Sequence, residues 1–275
     1  MKKEAFGLPL VLPPYTGRIH PDYNHSPFVE RLEDCTSLFE DSSCRMLLDG
    51  RNRVGTVGIP GREGEQRNVV IKEFNPVGVN RLKSLFQLSK ARRAWDGGTA
   101  LLERGINTPL PVAYLEKKKG LFGEKAFYLS ELIEDCDEVR SLFRRALPDD
   151  LRKIVQVLGR YLSRCHRLGI YHRDLSDGNV LVKKNASGQH TFFLVDTNRI
   201  RIKKKIGVLR GVKSLVRLGI PAHLQRFFLS EYLGSGQVSR GMWMWYRGCK
   251  NTYTGYIECK KRLRLRQLAR KLKIQ

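Results

Sequence analysis

Asp174 and Asn179 stand in the stretch Tyr171-His172-Arg173-Asp174-Leu175-Ser176-Asp177-Gly178-Asn179, which leads into Val180-Leu181-Val182. A carboxylate in such a loop can take the proton from an attacking hydroxyl. A neutral amide oxygen a few residues later can turn back toward a metal ion and phosphates. A third oxygen donor, Asp196, follows the apolar run Thr191-Phe-Phe-Leu-Val195. Lys72 closes the apolar run of Val69-Val-Ile-Lys-Glu-Phe74, where its ammonium could neutralise phosphate oxygens. The chemistry these four groups suit is phosphoryl transfer to a hydroxyl.

The elements around them are of the right kind. Leu151 to Leu168 carries apolar residues at 151, 154, 155, 158, 161, 162, 165 and 168, which is helical spacing. Asp149 or Asp150 is suited to cap its start and Gly169 its end. Val180–Val182 and Thr191–Val195 read as two strands joined by a polar turn. Asp174, Asn179 and Asp196 thus fall in the order, and on the elements, of the His-Arg-Asp-Leu-x-x-x-Asn pattern of protein kinases, where a second metal-binding carboxylate follows at a strand end. A chance polar turn explains the first motif alone but not that order.

The other candidates rest on position. Val-Ile-Lys resembles the strand whose lysine grips the α- and β-phosphates of ATP, although a lysine at a strand edge also guards against aggregation. Asp96, or less well placed Glu103, could fix that lysine from the next helix. Gly50, with Gly55 and Gly58, could bring backbone amides over phosphates without spelling a G-x-G-x-x-G loop; Asp49-Gly50 also reads as a plain hairpin turn. Glu131 and Ile133 would offer backbone groups to an adenine ring at a hinge near Glu131–Asp137.

The 275 residues suffice for one two-lobed domain or two small ones. No apolar run is long enough to span a membrane, and prolines at 9, 13 and 14 interrupt any signal-peptide core, so a cytoplasmic location is expected. Six cysteines without a C-x-x-C pair suggest a reducing compartment and no zinc site. The net charge of +24 calls for anionic partners. It concentrates in Arg199–Arg217 and in Lys260–Lys273, which holds no acidic residue. Aromatic residues are not interleaved with these charges and no nucleic-acid signature is present, so nucleic acid is not expected. The C-terminal segment could instead lie as a basic amphipathic helix on an anionic membrane surface, or pack as a solvated terminal helix.

Along the chain we expect an N-terminal extension over 1–40 wrapped on the surface with one short helix near Pro27–Phe39. A small antiparallel-sheet lobe over 41–135, a mainly helical lobe over 136–259 and a basic tail over 260–275 follow. Three strands (45–48, 54–59, 68–74), a helical segment over 80–104 in two pieces, and a hairpin of Val112–Glu116 with Ala126–Ile133 would build the first lobe. The fold class is therefore α+β, with a bilobed, protein-kinase-like order of elements.

At the level of family, the chain resembles the lipopolysaccharide core kinases, the Kdo/heptose kinase family within the protein-kinase-like superfamily. The resemblance covers about Arg45 to Leu233. It rests on Val70-Ile-Lys-Glu-Phe74, Ala91-Arg-Arg-Ala-Trp95, Leu102-Glu-Arg-Gly-Ile-Asn-Thr-Pro109, Phe127-Tyr-Leu-Ser-Glu131, His172-Arg-Asp174 and Leu194-Val-Asp-Thr-Asn-Arg199. It implies transfer of the ATP γ-phosphate to a sugar hydroxyl of the lipopolysaccharide inner core at the cytoplasmic face of the inner membrane. Asp174 would be the base, Asn179 and Asp196 the Mg2+ ligands, and Lys72 the nucleotide anchor. Thr197-Asn198 replaces the Phe-Gly of protein kinases and no Ala-Pro-Glu follows Asp196. The missing peptide-docking segment favours a small or glycolipid acceptor, which the basic Arg199–Arg217 would face. A protein kinase, a catalytically silent nucleotide-binding scaffold, and a basic membrane-binding protein with an incidental kinase-like fold are the competing readings.

Overall fold

The computed structural model describes residues 6–50, 52–76, 88–117 and 125–262. They fall into two compact units. Those up to Thr99 and from Pro109 to Ile133 form the first; Ala100–Thr108 and those from Glu134 onward form the second.

The first unit is a seven-stranded antiparallel sheet in the order β1-β2-β6-β7-β5-β4-β3. Its strands are β1 (Leu8–Leu12), β2 (Tyr15–Ile19), β3 (Arg45–Leu48), β4 (Val54–Pro60), β5 (Gln66–Phe74), β6 (Pro111–Lys117) and β7 (Ala126–Glu131). Helix α1 (Ser26–Leu32) contributes Phe28 and Leu32 to one face, against Val57, Ile59, Val69, Ile71 and Phe127. On the opposite face Ala91, Ala94 and Trp95 of helix α2 (Lys90–Leu102) meet Phe74, Tyr114 and Tyr128. Strand alternation in β5 therefore sends Val69 and Ile71 to α1 and Phe74, with Lys72, to α2.

The N-terminal residues are not a surface wrap. β1 and β2 extend the sheet, with Ile19 opposite Ala113 and fully buried. Their apolar alternation is short and broken by prolines, which an edge strand tolerates because no further ladder hydrogen bond is required there. The expected short helix is α1 followed by a single 3-10 turn at Ser37–Phe39. The first piece of the expected 80–104 helix lies outside the described residues.

The second unit contains strands β8 (Asp137–Glu138), β9 (Ile170–His172), β10 (Val180–Lys184), β11 (His190–Leu194) and β12 (Ile200–Ile202). Its helices are α3 (Val139–Arg145), α4 (Pro148–Arg167), α5 (Val208–Ser214), α6 (Gln225–Leu233) and α7 (Arg240–Arg262). α4 buries Leu151, Ile154, Val155, Leu158, Leu162 and Cys165, the predicted stripe, while Leu168 at its end is exposed. No aspartate caps it. Pro148 opens the helix with its fixed φ, and Asp149 and Asp150 sit in the first turn, where they favour the positive end of the dipole. Gly169 ends it at φ +74°, with the Lys203 carbonyl oxygen 2.0 Å from where a Cβ would stand, so no other residue fits.

His166 of α4 lies in the core. Its Nε2–H donates to Ser214 Oγ (3.3 Å), and its Nδ1 accepts from the Tyr232 hydroxyl (2.7 Å); the Ser214 hydroxyl in turn donates to the Gly211 carbonyl (2.7 Å). Burial pushes its pKa down from 6.5 to about 4, so the folded state holds it neutral. The unfolded chain binds that proton first as pH falls. Stability is therefore complete above 6.5 and is lost on acidification toward about 4, by roughly 3 kcal/mol. Urea titrations at pH 7 and 4.5 should show a shallower pH dependence in His166→Gln than in the parent chain.

Candidate functional site

The loop after β9 is built around His172, which is 2% exposed. Its Nε2–H donates to the Val195 carbonyl (3.0 Å), and its Nδ1 accepts the backbone N–H of Asp174 (3.1 Å). These partners require the neutral Nε2–H tautomer, and burial, the largest influence, lowers its pKa in the same sense. The histidine thus ties the segment before Asp196 to the segment bearing Asp174.

Asn179 makes a second tie. Its side-chain N–H donates to the Asp174 carbonyl (2.7 Å), and its own carbonyl accepts the Val195 N–H (3.1 Å). The first bond fixes the amide's orientation: nitrogen toward Asp174, oxygen turned away. A third comes from Arg199, whose carbonyl accepts the Arg173 N–H (3.1 Å), beside the antiparallel pairing of β9 with β12. The structure therefore brings Asp174, Asn179 and Asp196 together.

Asp196 itself is left-handed at φ 55°, ψ 48°, a conformation uncommon outside glycine and found where the surroundings over-determine it. Asn198, buried, donates to its Oδ1 (2.8 Å), and Arg199 Nε stands 3.7 Å from Oδ2. The strand feeding it, β11, is held at its end by Asn107 and Thr108. The Leu194 N–H donates to the Asn107 carbonyl (3.1 Å), and the buried Thr108 hydroxyl donates to the Leu194 carbonyl (2.7 Å). The Ile-Asn-Thr-Pro segment, part of the family resemblance, thus has a mechanical role.

Asp174 carries a partner that sequence reasoning missed: Arg217 approaches its Oδ1 at 2.5 Å. The only sequence signal was the basic character of Arg199–Arg217, which does not single out one guanidinium. Asp177, between the two motif residues, pairs with Arg140 (3.2 Å) and so belongs to the loop's support.

The nucleotide-side candidates lie in the first unit. Lys72 is opposite Tyr128 and Val54, with its Nζ 5.3 Å from the Phe74 ring centre. Asp96 is an exposed position of α2, whose sheet-packing face is Ala91, Ala94, Trp95 and Gly98. Gly50 sits in the exposed bend between β3 and β4 with open space around it. Gly55 and Gly58 lie within β4 and face Cys44 and Gln66. At Glu131 the side chain accepts from the Tyr23 hydroxyl (2.6 Å) and the N–H donates to the Leu110 carbonyl (2.9 Å). The Leu132 N–H is used by Asn68, and Ile133 follows as the last residue of this unit.

Among the described residues no group of three His, Cys, Asp or Glu side chains gathers as a metal cage. One carboxylate and one amide oxygen still fit Mg2+, which keeps water and phosphate oxygens as its remaining ligands.

Residues 72–218 match the model of the lipopolysaccharide kinase (Kdo/WaaP) family, just over half of the chain, running from Lys72 past Arg217. The chain belongs to that family. The resemblance read from the motifs is thereby shown. A 3-deoxy-D-manno-octulosonic acid kinase of Vibrio vulnificus (strain CMCP6) is 34% identical over 100 residues, which are 36% of this chain and 39% of the relative. The namesake of Stenotrophomonas maltophilia (strain K279a) is 34% identical over 120 residues, 43% and 45% of the two chains. These matches span less than half of those relatives. That of Xylella fastidiosa (strain M12) is 25% identical over 250 residues, covering 82% of this chain and 96% of the relative. A solved structure of WaaP in complex with acyl carrier protein superposes with a TM-score of 0.58 at 20% identity, over 83% of this chain and 98% of that one. The kinase-like α+β fold expected from the order of elements is the fold of this family member.

Proposed function

We propose that this chain is an ATP-dependent kinase that phosphorylates a sugar hydroxyl of the lipopolysaccharide inner core, and that the sugar is 3-deoxy-D-manno-octulosonic acid rather than a heptose. The bonding of Asp174 to Asn179, and of Asn179 to the residue before Asp196, carries the reading. It supports the reading by linking two carboxylates and an amide, Asp174, Asp196 and Asn179, in one loop system. The name shared by the curated relatives favours the acid sugar.

In this reading the acceptor hydroxyl oxygen bonds to the γ-phosphorus as the bond to the β-phosphate oxygen breaks. Asp174 takes the hydroxyl proton and ADP leaves. Asn179 and Asp196 would hold Mg2+, which would neutralise charge on the phosphates. Lys72 binds the α- and β-phosphates, with Asp96 as its orienting carboxylate and the Gly50 bend over the phosphates. Backbone groups of Glu131 and Ile133 receive the adenine. No described helix is long and apolar enough to cross a membrane. The excess positive charge supports work on the cytoplasmic side, at an anionic inner-membrane surface where a lipid-borne acceptor resides.

The test is mass spectrometry of lipopolysaccharide from cells with and without the gene, with purified protein and ATP added to the deficient material. One phosphate, lost from the acid sugar and restored by the protein, is the expected result. Restoration on a heptose overturns the choice of acceptor, and no change in phosphate overturns the kinase reading.

A further inference from the structure

A cavity of about 750 Å³ opens in the second unit beside the Asp174 loop, between β9 with its following residues, the Lys213–Arg217 segment and α7. Among the described residues three cations line it, Arg173, Lys213 and Arg217, and no Asp or Glu does. The α7 wall is aromatic, with Trp245, Tyr253 and Tyr256. Aromatic faces against cations, without carboxylates, make a site for a molecule with apolar ring faces and an acidic substituent.

Arg217 links this cavity to the proposed chemistry. One terminal nitrogen is on Asp174 Oδ1 at 2.5 Å, its guanidinium stands 5.5 Å from the Tyr253 ring centre, and its buried Nε–H has no acceptor among the described residues. The Arg217 side chain as a whole is 37% exposed, so the open part of its guanidinium can meet an anion that enters the cavity. The segment bearing Arg217 is itself pinned by α7, since Lys250 Nζ donates to the Val216 (3.4 Å) and Leu218 (3.3 Å) carbonyls.

We propose that this cavity is the acceptor subsite for an anionic sugar, and that Arg217 binds the sugar's acid group while positioning Asp174. The inference rests on the kinase reading and adds to it where the acceptor sits and what recognises it. The acid group is a carboxylate of the sugar ring or a phosphate carried on the glycan; the guanidinium fork suits either.

The experiment uses the full chain with Mg-ATP and soluble, deacylated inner-core oligosaccharide in three forms: intact, carboxyl-reduced and dephosphorylated. Arg217→Gln is expected to raise the acceptor KM about ten- to hundred-fold and to lower kcat, because Asp174 loses its orienting partner. Arg217→Lys should recover part of both. The KM for ATP should not move. Gly248→Phe gives an independent arm. Gly248 is an exposed position of α7 lining the cavity, with no heavy atom within 4 Å of where a Cβ would stand. Phenylalanine there fills the cavity without a clash at its Cβ and favours helix. It should raise the acceptor KM alone, and calorimetric binding of the intact oligosaccharide should weaken in parallel.

If carboxyl reduction of the oligosaccharide removes the sensitivity to Arg217→Gln, the acid is the ring carboxylate; if dephosphorylation removes it, the acid is a phosphate. Either result supports the proposal. Parent-like acceptor KM and binding in both Arg217→Gln and Gly248→Phe overturn the subsite while the kinase reading stands. A parent chain that transfers no phosphate to any form overturns that reading and the subsite with it.

Discussion

Asp174→Ala is expected to slow phosphoryl transfer by about 10²–10⁴-fold, the usual contribution of a positioned general base. Mg-ATP binding should survive, because the groups proposed to hold nucleotide and metal are Lys72, Asn179 and Asp196. The loop should survive too. Asn179 donates to the Asp174 backbone carbonyl and His172 accepts from its backbone N–H, and neither bond uses the carboxylate. The side chain is 30% exposed and makes its ion pair with Arg217, so truncation opens no core cavity. Single-turnover transfer to core oligosaccharide, read beside equilibrium binding of ATP with Mg2+, separates the two quantities. Asp196→Ala provides the contrast, with the Mg2+ dependence of nucleotide binding weakened as well. An Asp174→Ala protein that transfers phosphate at the parent rate removes the proposed base. Intact binding in both variants without turnover in the parent chain would favour the nucleotide-binding scaffold.

Arg53→Ala should destabilise the protein by about 3 kcal/mol, the lower end of what breaking a buried ion pair costs. Glu73, next to Lys72 on β5, is 3% exposed, and Arg53 approaches its Oε2 at 3.0 Å through Nε and 2.5 Å through a terminal nitrogen. Lys125 adds one contact at 3.2 Å from a side chain 43% exposed. Removing Arg53 leaves a desolvated carboxylate whose one remaining ion-pair partner among the described residues is solvent-screened. Removing the acid instead is expected to cost less, since Arg53 is 25% exposed and Lys125 more so, and both cations can rehydrate. Glu73→Met, which fills the space with apolar volume, should therefore cost less than Arg53→Ala despite deleting the more buried partner. Urea unfolding midpoints of the two variants decide the point, and equal midpoints would mean that the carboxylate's burial is not what makes the pair matter.

The parts of the site that can be read from the chain are those in which chemistry and spacing are local. Asp174 and Asn179 lie in one loop, and Asp196 follows the strand that pairs with the one after that loop. Their identities and order are enough because a short loop between two strands leaves few other arrangements. The α4 stripe and the strands of both hairpins are legible for the same reason, since periodicity is a property of neighbours in sequence. Where the expectation fails, a distant partner decides. β1 and β2 look like a surface wrap because their own alternation is brief, and they become strands through pairing with β6, far along the chain. Gly55 and Gly58 have the small size that phosphate contact needs, yet each faces a side chain of a neighbouring segment.

Sequence alone determined the chemical inventory of this protein: a carboxylate, an amide and a second carboxylate on the elements of a kinase-like site, a lysine on a strand, and a large positive charge. Tertiary structure decided which of many arginines meets Asp174, that Asn107 and Thr108 hold the strand leading to Asp196, and that a cation-lined cavity opens beside the Asp174 loop. The reason is physical. Local spacing fixes which groups a loop can carry, but an ion pair or a cavity wall is made by segments whose meeting depends on the packing of the whole unit. Fifty-one lysines and arginines give no sign, in one dimension, of which will be brought within reach of a given carboxylate.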